Sequence, residues 1–418
     1  MRLSRQMKIS VKKFSFPVMY SLVIVLELIL INQISTFNPA LGNWEVKARE
    51  ILSFQVPTDN FYGPGAALLL APFIWVGPNY FTVNIFYSIV GTCFFWKITE
   101  EIHNPKFRLI SRLSIPLNFY LLWLIHSSQD TVFEFALLSI SIFTLMRQKY
   151  WTFYLSTFLL CETRSQYWIF FLTVSVLLYY KKRKILHLIP FMLLIVTSFF
   201  NVFNYGSPSP ALEAGVTLEL SYSKGYYLAH PKYDVDVFLD GPNGPLISSS
   251  NSAPSNLTQS ESSRYYTEIA LREAFANPLE TILGFMQKVD SYFFITQKVP
   301  SLPGEYKYDY KKHQILIIED RLNPFLVFGY LAQQIWRICF VVFGISALGI
   351  LITFRKFGMT ILHRYYWCLA PWACGAVAGI FVYTETRFKI VSEALLVPLI
   401  CFIWGKFFES RDPIKQIN

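Results

Sequence analysis

Long apolar runs recur along almost the whole chain, and they constrain its fold more than any other feature. The first covers 22 residues, from Phe16 to Phe37, and follows a start that carries five basic residues. A membrane-spanning helix needs about 20 mostly apolar residues. Ten more runs follow, near residues 64–77, 80–96, 109–126, 131–146, 150–163, 167–180, 185–204, 332–353, 365–383 and 390–405. The pattern predicts an all-α polytopic membrane protein.

Composition excludes the main alternatives to a membrane protein. Of the 418 residues, 53% are hydrophobic and only 15% are charged, whereas a soluble domain carries about 25% charged residues. This shortage of charge argues against a soluble enzyme, and the apolar content argues against disorder. The six cysteines lie in apolar stretches and predict neither disulfides nor a zinc site. The histidines are scattered without metal-ligand spacing, so no metal site is predicted, although the need for a divalent metal stays open.

The basic residues sort the gaps between the runs onto two sides of a membrane. The segments 1–15, 97–112, 147–149, 181–184, 354–364 and 405–418 hold 21 Lys and Arg, and the alternate short gaps hold five. The long gap 205–322 has a net charge of −4, so the rest of the chain carries +14. Because cytoplasmic loops are enriched in Lys and Arg, we expect both termini in the cytoplasm and the long gap outside. This topology explains the net charge of +10 without nucleic acid as a partner.

The run 64–77 does not fit a regular span. It is short, it contains Pro72, and Gly-Pro pairs flank it on both sides. Pro and Gly weaken a helix, and non-helical backbone at membrane depth occurs only against protein or water. We therefore expect 64–77 to be interfacial or re-entrant beside an external cavity. About ten spans remain, in an N-terminal module, 1–204, and a C-terminal module, 332–418.

Two external segments are large enough to shape a site. The first, 38–64, contains an amphipathic stretch at 44–52 that predicts a short helix along the membrane surface. The second is the long external loop 205–331. Its middle, 241–263, is rich in Pro, Gly, Ser and Asn, which predicts a mobile loop. Its end, near 264–294, has a helical pattern that Pro278 interrupts.

Ionisable side chains at the ends of spans are the candidates for chemistry, because charge at membrane depth is expensive without a function. On the predicted external side they are Glu45, Arg49, Glu50, Asp59, His126, Asp130, Glu134, Glu162, Arg164, Glu385, Arg387 and Lys389. Carboxylates can act as general bases, and Arg or Lys can hold a phosphate. Any one of these residues could instead snorkel or pair at the interface. Asp130 and Glu134 lie one helical turn apart at the start of a span, facing the same way.

One of these segments carries a family resemblance. Residues 384–393 read Thr-Glu-Thr-Arg-Phe-Lys-Ile-Val-Ser-Glu and precede an apolar span. The segment resembles GT-C membrane glycosyltransferases, especially bacterial relatives of protein O-mannosyltransferases and the lipid A aminoarabinose transferase. Arg387-Phe388-Lys389-Ile390 is similar to their Arg-aromatic-Arg-Leu-Pro motif. Further segments resemble the family in the same order along the chain. They are the helix of 44–52, Gly63-Pro64-Gly65 with 68–72, the carboxylate of Asp130 after 127–129, Arg164, and the helix 272–288.

The resemblance implies an inverting glycosyltransferase with a GT-C-like fold in a bacterial inner membrane. It would move a sugar from a polyprenyl-phosphate donor to a lipid-linked glycan, a polysaccharide or a protein on the external face. Arg387, Lys389 and Arg164 are implied to bind the donor phosphate, and Asp130 or Glu45 to deprotonate or orient the acceptor hydroxyl. The family's first-loop Asp aligns with Ala40. Either another carboxylate serves as the base, or the protein is catalytically altered.

Other functions stay open at this point. An O-antigen-type polysaccharide polymerase or ligase would also have about ten spans and one large external loop, and it would rely on Arg and His in that loop. The candidates are His230, Arg264, His313 and Arg321. A lipid-linked sugar flippase would place charges in mid-span, where this chain has few. A non-catalytic subunit also fits Ala40. The sugar, the acceptor and the oligomeric state are undetermined by the sequence.

Overall fold

The computed structural model describes residues 2–34, 42–58, 63–77, 80–127, 130–210, 213–222, 254, 256–293, 306–309, 314–317, 324–353, 355–381 and 386–410. Almost all of this part is helical. The helices are α1 (Arg2–Ile34), α2 (Gly42–Leu52), α3 (Gly65–Val76), α4 (Tyr80–Thr99), α5 (Pro105–Leu113), α6 (Phe119–Ser127), α7 (Thr131–Met146), α8 (Tyr150–Thr163), α9 (Tyr167–Lys182), α10 (Ile189–Tyr205), α11 (Glu213–Tyr222), α12 (Gln259–Ala276), α13 (Pro278–Phe293), α14 (Pro324–Thr353), α15 (Arg355–Phe381) and α16 (Thr386–Ser410). A 3-10 turn precedes α10, and β1 (Tyr306–Asp309) pairs antiparallel with β2 (Gln314–Ile317).

Several of the helices can cross a membrane. In the described residues, four are long and apolar enough: Tyr80–Thr99, Ile185–Tyr205, Leu331–Thr353 and Lys389–Ser410. A fifth candidate is the bent pair of α6 and α7. Shorter apolar helices cover Pro17–Gln33, Gly65–Val76 and Tyr365–Phe381. The chain is therefore a helical, membrane-embedded protein, and the number of ten spans stays a prediction.

The run 109–126 is not one continuous span, and on this point the sequence prediction is wrong. α5 ends at Leu113, α6 begins at Phe119, and α6 then meets α7 at a bend of 117°. Side chains of α14 satisfy backbone groups at the break. The Trp336 indole donates to the carbonyl of Ser114 at 3.2 Å, and the Gln333 amide oxygen accepts from the N–H of Tyr120 at 3.1 Å. A buried break in a helix needs such partners.

The interior of the bundle is built around α16. This helix packs against α5, α7, α14 and α15, and most of residues 389–410 are buried inside the protein. By contrast, α10 and α14 leave large apolar side chains exposed on their outer faces, among them Phe199, Phe203, Val342 and Leu348. Exposed apolar surface on this scale marks a membrane-contacting protein.

Two of the segments beside the longer spans form short helices. α2 covers the amphipathic stretch 44–52 and packs against α3. α3 has 12 residues, about 18 Å, which is too short for a hydrocarbon core of about 30 Å. The short length of α3 thus supports the predicted re-entrant or interfacial placement of 64–77.

Helices α12 and α13 begin at recognisable signals. Thr258 caps α12 in a capping box with Glu261. The backbone N–H and the hydroxyl of Thr258 both donate to the Glu261 carboxylate, and these hydrogen bonds lower the pKa of that carboxyl below its usual range. Pro278 separates α12 from α13. Residues 259–263, predicted to be loop, belong to α12, and 241–253 lie outside the described residues.

Candidate functional site

Four side chains from two parts of the chain form one buried group, which we call the acid–arginine cluster: Asp130, Glu134, Arg164 and Tyr167. Nη2 of Arg164 lies 2.8 Å from Oδ1 of Asp130, and its Nε lies 3.1 Å from Oε2 of Glu134. The Tyr167 hydroxyl donates to Oε1 of Glu134. The start of α7 and the turn between α8 and α9 therefore meet at this cluster.

Local structure explains how the cluster is positioned. Asp130 precedes the first residue of α7, and Glu134 lies one turn further on the same face. At Arg164 the backbone adopts an extended conformation, with φ −140° and ψ 106°. α8 therefore ends there, and α9 starts three residues later. This turn brings Arg164 and Tyr167 to the same two carboxylates.

Gly63 and Gly65 hold α3 against the end of α8. A Cβ atom on Gly65 would lie 2.5 Å from the backbone N of Thr163, and one on Gly63 would lie 2.3 Å from the carbonyl oxygen of Glu162. Only glycine permits so close an approach of two backbones. The Gly-Pro-Gly segment is therefore in direct contact with the residues that precede Arg164.

Within the acid–arginine cluster, exposure differs from one side chain to the next. The side chain of Asp130 is 23% exposed, that of Arg164 is 4% exposed, and that of Glu134 is fully buried. Glu134 thus helps to hold the arginine, while part of the Asp130 side chain remains accessible at the protein surface. A carboxylate that is both fixed and reachable can take a proton from a hydroxyl or orient it.

A second buried group, which we call the Tyr292 cluster, consists of Tyr292, Arg337, Lys389 and Glu393. Arg337 and Glu393 form an ion pair in which both side chains are fully buried. Nη2 of Arg337 donates to the carbonyl oxygen of Tyr292 at 3.0 Å, and Nζ of Lys389 donates to the same oxygen at 3.4 Å. Two cations therefore meet at the C-terminal end of α13, where the helix dipole places partial negative charge.

The two clusters are neighbours inside the bundle. Tyr292 lies close enough to Glu134 and to Tyr167 for electrostatic interaction, as it does to Glu393. α7 also packs against α15 and α16. Together the clusters make one polar region that holds three acidic and three basic side chains. Charge balance of this kind is what keeps ionised groups tolerable at low dielectric.

Glu45 is placed outside the acid–arginine cluster. It pairs with Arg49 one turn along α2, at 2.6 Å, and accepts a hydrogen bond from the Tyr80 hydroxyl. Tyr80 begins α4, and Asn84, one turn further, donates to the carbonyl of His126 at 3.3 Å. Glu45 therefore lies at the end of α4 that meets the α6–α7 junction.

The other predicted site residues divide into described and undescribed ones. Lys389 points inward and is 1% exposed, with its Nζ 5.7 Å from the centre of the Tyr292 ring. Arg387 falls in the first turn of α16, and its side chain lies outside the described side chains. Arg264 is 83% exposed and pairs with Glu268 on the surface of α12. Outside the described residues lie Ala40, Asp59, His230, His313, Arg321 and Glu385.

Four residues of the polar region are not predicted from the sequence: Tyr167, Tyr292, Arg337 and Glu393. Arg337 had a usable signal, because it is a charge inside the apolar run 332–353. Glu393 follows Lys389 by one helical turn and shares its face. Tyr292 carries no signal, since its role comes from its backbone carbonyl. Among the described residues, no group of three or more His, Cys, Asp or Glu is placed to hold a metal ion.

Comparison of the chain with protein-family models, with curated proteins and with solved structures finds no match. We therefore infer the function from the geometry of the polar region and from the chemistry of its side chains.

Proposed function

We propose that the protein is a membrane glycosyltransferase that uses a polyprenyl-phosphate sugar as its donor. The acid–arginine cluster is the observation that carries this proposal. It offers a reachable carboxylate, Asp130, which a buried arginine fixes in place. Further buried cations, Arg337 and Lys389, lie in the adjacent Tyr292 cluster. A base beside positive charge is what sugar transfer from a phosphate requires.

In the proposed reaction, the acceptor hydroxyl oxygen attacks the anomeric carbon of the sugar. A new glycosidic bond forms while the bond between that carbon and the phosphate oxygen breaks, so the configuration inverts. Asp130 receives the hydroxyl proton, and polyprenyl phosphate leaves with the electron pair. Arg387 and Lys389 offset the charge on the leaving phosphate, and Arg164 orients Asp130. Glu45, at the α6–α7 end of α4, is the second candidate for the base.

The proposal includes a finer topology. About ten spans in a GT-C-like arrangement would place both termini in the cytoplasm and the polar region toward the external face of a bacterial inner membrane. The distribution of basic residues supports this orientation. The presence of a helix at most of the apolar runs supports the spans themselves. The acceptor would be a lipid-linked glycan, a polysaccharide or a protein.

The first prediction concerns transfer itself. Membranes that contain the protein are incubated with radiolabelled polyprenyl-phosphate sugars, and label is followed into lipid, polysaccharide and protein fractions. We expect Asp130→Asn and Arg387→Ala each to lower transfer at least about 100-fold, as loss of a general base or a phosphate ligand does. Asp130→Asn keeps the shape of the side chain, and monodisperse elution in detergent checks folding.

Arg264→Ala is the matched control, because Arg264 pairs on the surface of α12, away from the proposed chemistry. We expect it to transfer sugar like the wild type. Wild-type rates in both Asp130→Asn and Arg387→Ala would contradict the site assignment. Loss of activity in Arg264→Ala alone would favour the polysaccharide polymerase or ligase.

One observation favours a different function, a lipid-linked sugar flippase. The Arg337–Glu393 pair lies within two candidate spans, Leu331–Thr353 and Lys389–Ser410, where charge is typical of transport pathways. Proteoliposomes that contain labelled lipid-linked sugar in one leaflet distinguish the two functions. A flippase moves the label across the bilayer without forming a new glycosidic bond, whereas a transferase needs an acceptor and forms one.

A further inference from the structure

Helix α13 has its polarity reversed relative to a water-facing helix. Its outward stripe consists of Leu279, Ile282, Leu283 and Met286, which are between 50% and 69% exposed. Their spacing places them on one face. Its charged Lys288, by contrast, is only 1% exposed and donates to the Ser221 hydroxyl. A helix at an aqueous surface has the opposite arrangement, with charge outside and apolar residues inside.

The stripe continues across the turn into α12. Leu271 and Phe275 at the end of α12 are 51% and 82% exposed. Between residues 275 and 286 the single charged residue, Glu280, is only partly exposed. The apolar surface is therefore contiguous rather than a scatter of single side chains, and contiguous surface of this kind marks contact with a partner or a membrane.

Contacts with α15 show how far α13 extends along a membrane helix. Phe285 packs on Phe381, at the end of α15, with ring centres 5.3 Å apart. Two turns later, Tyr292 and Phe293 pack on Trp372, at 5.8 and 5.3 Å. Trp372 lies nine residues before Phe381, which corresponds to about 13 Å along the helix. α13 therefore runs antiparallel to α15, from its end toward its middle.

A backbone carbonyl at the C-terminal end of α13 has the hydrogen-bond donors that a helix end needs inside a membrane. The Tyr292 carbonyl accepts from Arg337 and Lys389, and both of these residues belong to candidate spans. Carbonyls at a helix end have no partner within the helix, and in lipid no water replaces one. Two cations at this end allow the helix to stop inside the bilayer.

We propose that α13 is a half-inserted membrane helix, and that the stripe of Leu279, Ile282, Leu283 and Met286 contacts the acyl chains of the outer leaflet. The exposed side chains of α15 beside it, Val377 and Phe381, belong to the same lipid-facing surface. The segment 278–293 then belongs to the membrane rather than to the aqueous external loop. It forms a lipid-facing wall of the polar region, whichever reaction that region performs.

Spin labels on introduced cysteines test the proposal in proteoliposomes. Leu283→Cys and Met286→Cys are made separately in a chain with Cys93→Ala and Cys339→Ala, which leaves only buried cysteines behind. Collision with oxygen, which concentrates in lipid, is compared with collision with a water-soluble nickel chelate. Val342→Cys, on the outer face of α14, is the lipid reference, and Arg264→Cys is the water reference.

We expect both labels to collide frequently with oxygen and rarely with the nickel chelate, as the Val342→Cys label does. Frequent collision with nickel, as at Arg264→Cys, would place α13 in water and overturn the proposal. Rare collision with both reagents would show that another protein chain, such as a second copy, covers the stripe, and would overturn it as well. Two independent positions ensure that one misfolded variant leaves the test intact.

Discussion

Buried ion pairs hold the polar region together at the scale of single residues. The Arg337–Glu393 pair joins α14 to α16, and the Arg164 pairs join the α8–α9 turn to α7. The side chains in these pairs are at most 4% exposed, apart from Asp130, which is 23% exposed. A buried pair gains little over an apolar pair of the same size, but removal of one partner leaves an unpaired charge that costs about 3–5 kcal/mol. The pairs thus specify which helices meet more than they add stability.

This asymmetry predicts a double-mutant result. Arg337→Met alone should destabilise the protein by about 3–5 kcal/mol, because Glu393 then stays buried without its cation. The double variant Arg337→Met with Glu393→Leu should regain most of that loss, since no charge is left unpaired. The midpoint of thermal unfolding in detergent, followed by intrinsic fluorescence, measures both.

The exposed pair Arg264–Glu268 provides the control, because both side chains are more than half exposed. The corresponding Arg264→Met change should alter stability by at most about 1 kcal/mol. If the double variant of the buried pair loses the sum of the two single losses, the residues act independently, and the ion pair does not specify the packing.

Close backbone contact fixes the arrangement of elements around the acid–arginine cluster. α3 touches the end of α8 through Gly63 and Gly65, and the next residue beyond that contact is Arg164. Because the neighbouring atoms are backbone, no side chain can rotate out of the way. A larger residue here would move one helix relative to the other and displace the arginine.

Gly65→Ala should therefore destabilise the protein by about 1–3 kcal/mol and lower transfer activity as well. A Cβ at this position would meet the backbone N of Thr163 at 2.5 Å. Gly349→Ala is the control, since nothing lies within 4 Å of a Cβ there. Thermal unfolding and the transfer assay measure the two effects, and wild-type behaviour of Gly65→Ala would show that α3 does not position Arg164.

The sequence predicts elements well where a local pattern defines them. Apolar runs coincide with α4, α7 and α8, and Asp130 with Glu134 is recognisable because the two residues are one turn apart. The break after α5 is missed, since its backbone partners, Gln333 and Trp336, come from a helix more than 200 residues away. The meeting of Tyr292, Arg337 and Glu393 depends on tertiary packing in the same way, and no single-sequence pattern encodes it.

At the scale of the whole molecule, the charge asymmetry predicts one orientation of the polar region relative to the membrane. The basic gaps, such as 181–184, lie between helices on one predicted side of the bilayer. Asp130 and the start of α16 lie on the other, and the neighbouring Tyr292 and Glu134 bring these two ends together. The polar region would then open toward the side opposite the basic gaps.

Cysteine accessibility in intact cells tests this orientation. In the sequence, Ser128 lies two residues before Asp130 and Thr386 lies three residues before Lys389. We expect an impermeant thiol reagent added outside to label both Ser128→Cys and Thr386→Cys. Lys182→Cys, at the end of α9 and within the basic segment 181–184, should react only after the membrane is opened, because positive segments stay in the cytoplasm. Protection of either Ser128→Cys or Thr386→Cys until the cells are opened would reverse the topology and move the proposed chemistry to the cytoplasmic face. Labelling of Lys182→Cys from outside would contradict the rule that segments rich in Lys and Arg lie in the cytoplasm, because 181–184 is the most densely basic of these segments.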